Sequence, residues 1–175
     1  MLPRRYIWTA RARWGLLPLS GYDRFLDGDA EIRWSILGHV PVITASGVEL
    51  ARVAAERAVF DAIFIPTACV GGDVTWHGGS SADSAIAEWH IGEFVLRPEI
   101  GVAKDGSLVS VTMPRWSRPQ GRTWGEHPYG GVVGEEREFD GIRIPTTMCV
   151  GYDARDGRGS SKDSYRATIT SAVFF

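Results

Sequence analysis

The sequence predicts a mainly β domain of the α+β class: a curved antiparallel half-barrel sheet with one helix across its concave face. Three observations support this fold. Alternation of apolar and polar residues dominates the chain, Asp-Gly pairs recur between alternating segments, and a single stretch has helical spacing. The 175 residues, 44% of them hydrophobic, suit one domain with a core of its own.

The first segment is predicted to be a half-buried strand with a basic outer face. Tyr6, Trp8 and Trp14 share one face of an extended chain, whereas Arg11 and Arg13 lie on the other. Alternating segments of this kind account for about eight or nine strands, among them long runs at 85–96 and 165–174.

Three hairpin turns are predicted where Asp-Gly separates alternating segments, at 27–28, 105–106 and 140–141. A type I′ turn needs positive φ at both central residues, and Asp-Gly satisfies this need well. Consecutive hairpins of this kind indicate an antiparallel meander.

One helix is predicted at about 47–62. Ser46 and Glu49 have the spacing of a capping box, the following residues are rich in alanine, and Pro66 ends the segment. A single helix in an antiparallel meander most simply lies across the concave face of the sheet.

Composition argues against several classes of protein. Nineteen basic and 21 acidic residues give a net charge of -2, whereas nucleic-acid binders usually carry a basic excess. No apolar run approaches the roughly 20 residues that a membrane span needs. The first residues lack the apolar region of a signal peptide, so we expect a cytoplasmic protein. Cys69 and Cys149 are expected to be free thiols.

The four histidines, His39, His77, His90 and His127, are far apart and form no metal-binding motif. The chain also lacks a phosphate-binding glycine loop and a GxSxG elbow. We therefore expect no metal and no cofactor.

Several motifs, in order, resemble one protein family: RWSILGHVPVITASG (33–47), RAVFDAIFIPTACV (57–70), DVTWHG (73–78), DGSLVSVTMPRW (105–116) and HPYGGVVGEEREFDGIRIPTTMCVGYD (127–153). They resemble a bacterial domain of unknown function that is common in actinobacteria. That family more often has Glu where this chain has Asp61, and often Trp where it has Phe64.

The family in turn resembles the LolA type of lipoprotein carrier, a curved antiparallel half-barrel with a helix on its concave side. The resemblance implies a single LolA-like β-rich domain over 1–175 and an apolar groove between sheet and helix. It implies no reaction, because no catalytic residues can be transferred from the family.

Glu88 and His90 form the best polar pair. They point to the same face of a strand, about 7 Å apart, and a carboxylate beside an imidazole suits general acid–base catalysis. The alternative is that this face is exposed to solvent, because Ala87 and Trp89 supply an apolar face opposite.

Asp61 and Arg115 are further catalytic candidates. Asp61 lies among apolar residues, where burial would raise its pKa, but it could instead pair with Arg57. Arg115 could hold a carboxylate or enolate oxygen, and His127 or Tyr129 could exchange a proton. The alternative is a structural loop with stacked Arg and Trp.

Seven tryptophans make a wide apolar groove plausible, although most tryptophans are core residues. The expected ligand-binding residues are Trp8, Trp34, Trp89, Trp116, Trp124, His127 and Tyr129. The expected function is the binding of an apolar small molecule by a cofactor-independent cyclase, isomerase or lyase that acts on a hydrophobic metabolite. The alternative is a non-catalytic carrier or sensor of lipid-like molecules.

Overall fold

The computed structural model describes residues 5–119, 122–152 and 165–174. Contacts divide the chain into two compact units. The N-terminal unit comprises Pro3–Ala58 with Ile91–Phe94, and the C-terminal unit comprises Val59–His90 with Val95–Phe175 and the first two residues. Strands dominate both units and the described residues contain one α-helix, so the predicted mainly β class with one helix is confirmed.

The N-terminal unit contains an antiparallel sheet of four strands in sequence order. These strands are β1 (Arg5–Trp14), β2 (Leu17–Leu26), β3 (Asp29–Ile36) and β4 (Val40–Ser46). They form an uninterrupted meander in which each strand pairs with the next, as the alternating segments predict.

The helix α1 (Val48–Phe60) lies within the predicted range. Ser46 still belongs to β4, so the helix begins after Gly47, whose carbonyl accepts a hydrogen bond from the Ala51 amide at 3.0 Å. The helix rests on the apolar face of the four-stranded sheet through Arg57. The guanidinium donates to Asp23 of β2 at 3.0 Å and lies 4.6 Å above the Trp8 ring of β1.

Two 3-10 turns, Asp61–Phe64 and Pro66–Cys69, follow the helix and lead into the sheet of the C-terminal unit. Its strands are β5 (Val74–Gly78), β6 (Ser84–Ile91), β7 (Phe94–Leu96), β8 (Glu99–Val102), β9 (Leu108–Ser117), β10 (Gly125–Phe139), β11 (Ile142–Tyr152) and β12 (Tyr165–Thr168). The order in space is β12-β11-β10-β9-β8-β6-β5, with β7 also paired to β6.

The described residues thus contain twelve strands in two sheets, more than the predicted count of eight or nine. The extra strands are short, and one arises because the predicted run 85–96 is divided. Gly92 has a φ of 59°, which turns the chain between β6 and β7. The predicted final run 165–174 keeps strand structure only as far as Thr168.

Two of the three Asp-Gly pairs form the predicted turns. Asp27 and Gly28 have φ values of 49° and 100°, and Asp140 and Gly141 have 50° and 80°. The third pair also lies in its predicted hairpin, since β8 and β9 pair antiparallel around it, but the turn has a different geometry because only Gly106 has positive φ, at 85°. The Asp105 carboxylate accepts hydrogen bonds from the amide and hydroxyl of Ser107, which stabilises a longer loop between β8 and β9.

One face of the eight-stranded sheet carries the core of the C-terminal unit, with Trp89, Ile100, Val111 and Val150 all buried. Gly131 is essential to the packing of its central strands. A Cβ atom at this position would overlap the backbone of Cys149 and Val150 in the neighbouring strand β11.

The substitution Gly131→Ala should lower the free energy of unfolding by about 1–3 kcal/mol, because strands β10 and β11 must separate to admit the methyl group. Gly134→Ala in the same strand is the control. Its added Cβ would meet only the Thr147 hydroxyl, at 3.8 Å, so the change should stay within about 0.5 kcal/mol. Urea unfolding of both variants measures the difference. Equal effects would contradict the role assigned to Gly131.

Candidate functional site

Arg115 and Tyr129 form a cation–aromatic pair on the core face of the eight-stranded sheet. Arg115 of β9 lies opposite His127 of β10, and Tyr129 follows two residues later on the same face. The guanidinium carbon of Arg115 lies 4.7 Å from the centre of the Tyr129 ring. The predicted site residues Arg115, His127 and Tyr129 thus share one surface.

Two further aromatic rings surround Tyr129. Phe60, at the end of α1, meets it edge-on with ring centres 5.3 Å apart, and Tyr152 of β11 does so at 5.0 Å. Neither Phe60 nor Tyr152 was predicted from the sequence as a site residue. The Asp140-Gly141 turn could have identified Tyr152, because a two-residue turn there pairs residue 129 with residue 152.

Burial raises the pKa of the Tyr129 phenol above its ordinary value, although the charge of Arg115 acts in the opposite direction. The negative charge of Asp61 contributes to the same increase in the pKa of Tyr129. Tyr129 therefore holds its proton more tightly than an ordinary phenol and is a neutral hydrogen-bond donor at neutral pH, beside a guanidinium that is always charged. Arg115 and Tyr129 thus form a hydrogen-bonding and anion-binding pair.

His127 lies in the same part of the sheet. One of its ring nitrogens is 3.0 Å from the Thr123 carbonyl oxygen, which holds the imidazole against the chain that leads into β10. Its role in proton exchange stays a prediction.

Glu88 forms a second polar cluster. Its carboxylate lies 3.1 Å from a His90 ring nitrogen, 3.4 Å from one of His77, and accepts a hydrogen bond from Arg97 at 2.6 Å. These contacts, above all those from Arg97 and His90, lower the pKa of Glu88, so the carboxylate stays charged. The predicted Glu88–His90 pair thus forms, and His77 and Arg97 are partners that sequence spacing did not indicate.

The Glu88 cluster lies on the opposite face of the sheet from Arg115. The strand register places Ala85, Ile100 and Val111 on the core face, and residues 88 and 90 alternate to the other side. The His90 side chain is 65% exposed to solvent. The catalytic residues predicted from the sequence therefore form two groups and not one.

The tryptophans that were predicted to bind the ligand do not lie at one site either. Trp8 and Trp34 lie 5.9 Å apart on the four-stranded sheet, and the Trp34 indole donates to Asp23 at 3.3 Å. In the C-terminal unit Trp89 is completely buried, Trp116 alternates to the other face of β9 from Arg115, and Trp124 is exposed. Trp8 and Trp34 are thus the one pair of predicted tryptophans whose rings contact each other among the described residues.

An open cleft of about 1140 Å³ lies on the core face of the same eight-stranded sheet. The 3-10 turns form one wall through Ile63, Pro66 and Cys69, and the strands contribute an apolar floor of Ile100, Val109 and Val133. Polar residues at the cleft include Asp83, Ser84, Asp105, Glu135, Glu136 and Arg143.

None of the site residues predicted from the sequence lines this cleft. Its lining comes from separate strands and turns, so no local motif marks it. The available signal was the alternation that puts Val109 and Val133 on the apolar face of β9 and β10.

Trp76 and Cys69 form one side of the cleft. The Trp76 indole donates to the Cys69 carbonyl at 3.2 Å, which ties β5 to the second 3-10 turn. Burial raises the pKa of the Cys69 thiol, so it is a poor nucleophile at neutral pH. Cys69 and Cys149 are both free thiols, as expected.

The described ranges contain neither a membrane-spanning helix nor a cluster of metal ligands. Within residues 5–119, 122–152 and 165–174, no helix has the length and apolar character needed to cross a membrane. Nor do His, Cys, Asp and Glu side chains of these ranges gather in groups of three or more that could hold a metal ion.

Comparison with protein families identifies the chain. The model of a family of unknown function, DUF6544, matches residues 1–160, so the chain belongs to this family. The expected membership in a family of unknown function is thereby confirmed. No curated protein and no solved structure matches the chain.

The raised pKa of Tyr129 predicts a pH dependence that Tyr129→Phe removes. A phenol whose pKa is higher in the folded state stabilises the fold below about pH 10, the pKa in the unfolded chain. That contribution is lost as the pH rises through the folded pKa. The free energy of unfolding of the wild type, minus that of the variant, should therefore fall in alkaline solution. Denaturant unfolding from neutral to alkaline pH measures it, and a constant difference would contradict the assignment.

Proposed function

We propose that the protein binds an apolar small molecule in the cleft between the eight-stranded sheet and the turns that follow α1. The observation that carries this proposal is the cleft itself, with about 1140 Å³ and a floor of Ile100, Val109 and Val133. Ligand sites typically combine such an apolar lining with a few polar groups that orient the ligand. Here Arg143 and Glu136 at the cleft supply opposite charges, 4.0 Å apart.

We further propose that the bound molecule is a substrate and that the protein is a cofactor-independent cyclase, isomerase or lyase. Tyr129 would donate its phenolic proton, Arg115 would stabilise the negative charge that develops on a substrate oxygen, and Asp61 would accept a proton from the substrate. Arg115 and Tyr129 support the proposal because the guanidinium lies 4.7 Å from the centre of the Tyr129 ring, so that a fixed cation and a neutral hydroxyl donor are neighbours. Glu88 and His90 would act only on a molecule bound at the outer face.

The distance between the cleft and the Arg115–Tyr129 pair restricts the shape of the substrate. Val133 at the cleft and Tyr129 are four residues apart in β10, which corresponds to about 13 Å along the strand. A molecule that reaches both must be elongated. An acyl chain with a polar or anionic end meets this requirement, and the end group would lie at Arg115.

A carrier or sensor of lipid-like molecules is the second candidate. It is favoured by the apolar floor of the cleft and by the Cys69 thiol, whose raised pKa makes it unreactive. The resemblance to LolA-like carriers of bacteria supports the same reading and remains part of the proposal. A cytoplasmic location also stays a prediction.

Filling the cleft should prevent binding of an apolar probe. Val109 lies in the floor and is 38% exposed, so Val109→Trp reduces the free volume and leaves the packed core intact. We expect about tenfold weaker binding of cis-parinaric acid, a fluorescent fatty acid, measured by its emission. Val95→Trp, at a similarly exposed valine outside the cleft lining, is the control. Unchanged binding by Val109→Trp would overturn the cleft as the ligand site.

The role of Arg115 is tested by comparing cis-parinaric acid with its methyl ester. The wild type should prefer the acid by about tenfold, because a guanidinium binds a carboxylate through charge-assisted hydrogen bonds. Arg115→Ala should bind both equally. Arg137→Ala is the matched control, since Arg137 lies 5.5 Å over Phe139 elsewhere in β10. If Arg115→Ala keeps the preference, the catalytic proposal fails while the carrier proposal stands.

A further inference from the structure

One end of the four-stranded sheet carries an exposed apolar tip. Two adjacent hairpin turns meet there, and we define the hairpin tip as Trp14–Leu17 and Leu37–His39. Leu16 is 96% exposed, Trp14 70% and Leu37 55%. Single exposed apolar residues are normal, but large side chains clustered on two neighbouring turns mark an interaction surface.

Leu37 in the hairpin tip has a backbone conformation that is unfavourable for leucine. Leu37 has a φ of 54° and Gly38 one of 79°, the conformation of a type I′ turn that normally selects Asn, Asp or Gly. A leucine in this conformation is strained by about 1 kcal/mol or more. Its side chain packs into no core, so a folding role does not explain it.

Basic residues lie directly behind the tip. Arg13 and Arg11 precede Gly15 by two and four residues, so they are about 7 and 13 Å from the turn along β1. With Pro18, Ser20, Leu37 and Gly38 they line a shallow groove of about 690 Å³. Two cations, Arg11 and Arg13, thus lie next to the apolar tip and line a groove that can hold a small anionic group.

Acidic residues are absent from this half of the sheet. Segments 9–20 and 34–46 contain Arg11, Arg13 and His39 but no Asp or Glu. The carboxylates of the sheet are Asp23 in the middle of β2, which pairs with Arg57, and Asp27, Asp29 and Glu31 toward the opposite end. The charge of the tip region is therefore only positive, and it complements an anionic surface.

We propose that the hairpin tip docks on the surface of an anionic phospholipid bilayer. Trp14, Leu16 and Leu37 enter the interface between headgroups and acyl chains, and Arg11 and Arg13 bind lipid phosphates at the level of the headgroups. Interfacial segments combine these features: an aromatic residue, apolar side chains that reach about 5–10 Å into the interface, and basic residues behind them. The proposal is independent of what the cleft binds.

Sedimentation with vesicles tests the proposal on the intact protein. We expect binding to vesicles that contain phosphatidylglycerol, weaker binding to phosphatidylcholine alone, and a decrease with added salt. The double variant Leu16→Ser/Leu37→Ser should bind about tenfold less. Val48→Ser/Val173→Ser, at exposed valines outside both the tip and the cleft, is the matched control and should bind like the wild type.

Charge is tested separately from apolar contact. Arg11→Ala/Arg13→Ala should reduce binding to the anionic vesicles by about fivefold for each arginine. Arg166→Ala, at an exposed arginine of β12 in the C-terminal unit and outside the cleft, should leave it unchanged. Circular dichroism confirms that each variant is folded.

Three outcomes would overturn the proposal. The wild type could fail to bind any vesicle, or the tip variants could bind as well as the wild type. Alternatively, analytical ultracentrifugation could show a dimer that Leu16→Ser/Leu37→Ser dissociates, in which case the tip contacts a second copy of the chain and not a membrane.

Discussion

The C-terminal unit depends on the register of one β-hairpin. The Asp140-Gly141 turn joins β10 to β11 and pairs Tyr129 with Tyr152 and Gly131 with Val150. A shift of one residue would move every side chain of a strand to the other face. Tyr129 would then leave the core face, and both the ring contacts around it and the alignment of Arg115 with the aromatic cluster would be lost. Gly131 of β10 stabilises the same register, because only glycine at this position allows β11 to approach so closely.

This register also explains why the polar residues of the sheet form two groups with different properties. On the core face, burial keeps the phenol of Tyr129 neutral beside the Arg115 guanidinium. On the outer face, hydrogen bonds from Arg97 and His90 lower the pKa of Glu88 and keep its carboxylate charged. The first group can donate a proton and hold an anion in a partly buried place. The second is an ionic network around Glu88, in which the His90 and Arg97 side chains are largely exposed to solvent.

Much of the fold could be predicted because it follows from local patterns. The alternation predicted the strands, and the Ala-rich segment predicted α1. Asp27-Gly28 and Asp140-Gly141 predicted two hairpins. Asp105-Gly106 also marked a hairpin, between β8 and β9, but its longer loop was not predictable because it depends on hydrogen bonds from Ser107 to the Asp105 carboxylate.

The site was less predictable than the fold. Glu88 and His90 were found because they are two residues apart in one strand. The cleft was missed because its lining comes from several strands and two 3-10 turns, whose proximity depends on packing over long stretches of sequence. Phe60 was missed for the same reason, since it reaches Tyr129 from the end of the helix.

The central claim is that the core face of the eight-stranded sheet, at the cleft and at Arg115, is where the protein binds its ligand. NMR chemical-shift mapping with dodecanoate, a simple acyl chain with an anionic end, tests this claim most directly. We predict that the amide signals of Val109 and Val133 and the side-chain signal of Arg115 shift together as dodecanoate is added. Shifts confined to His77 and His90 on the outer face, or no shifts at all, would contradict the account.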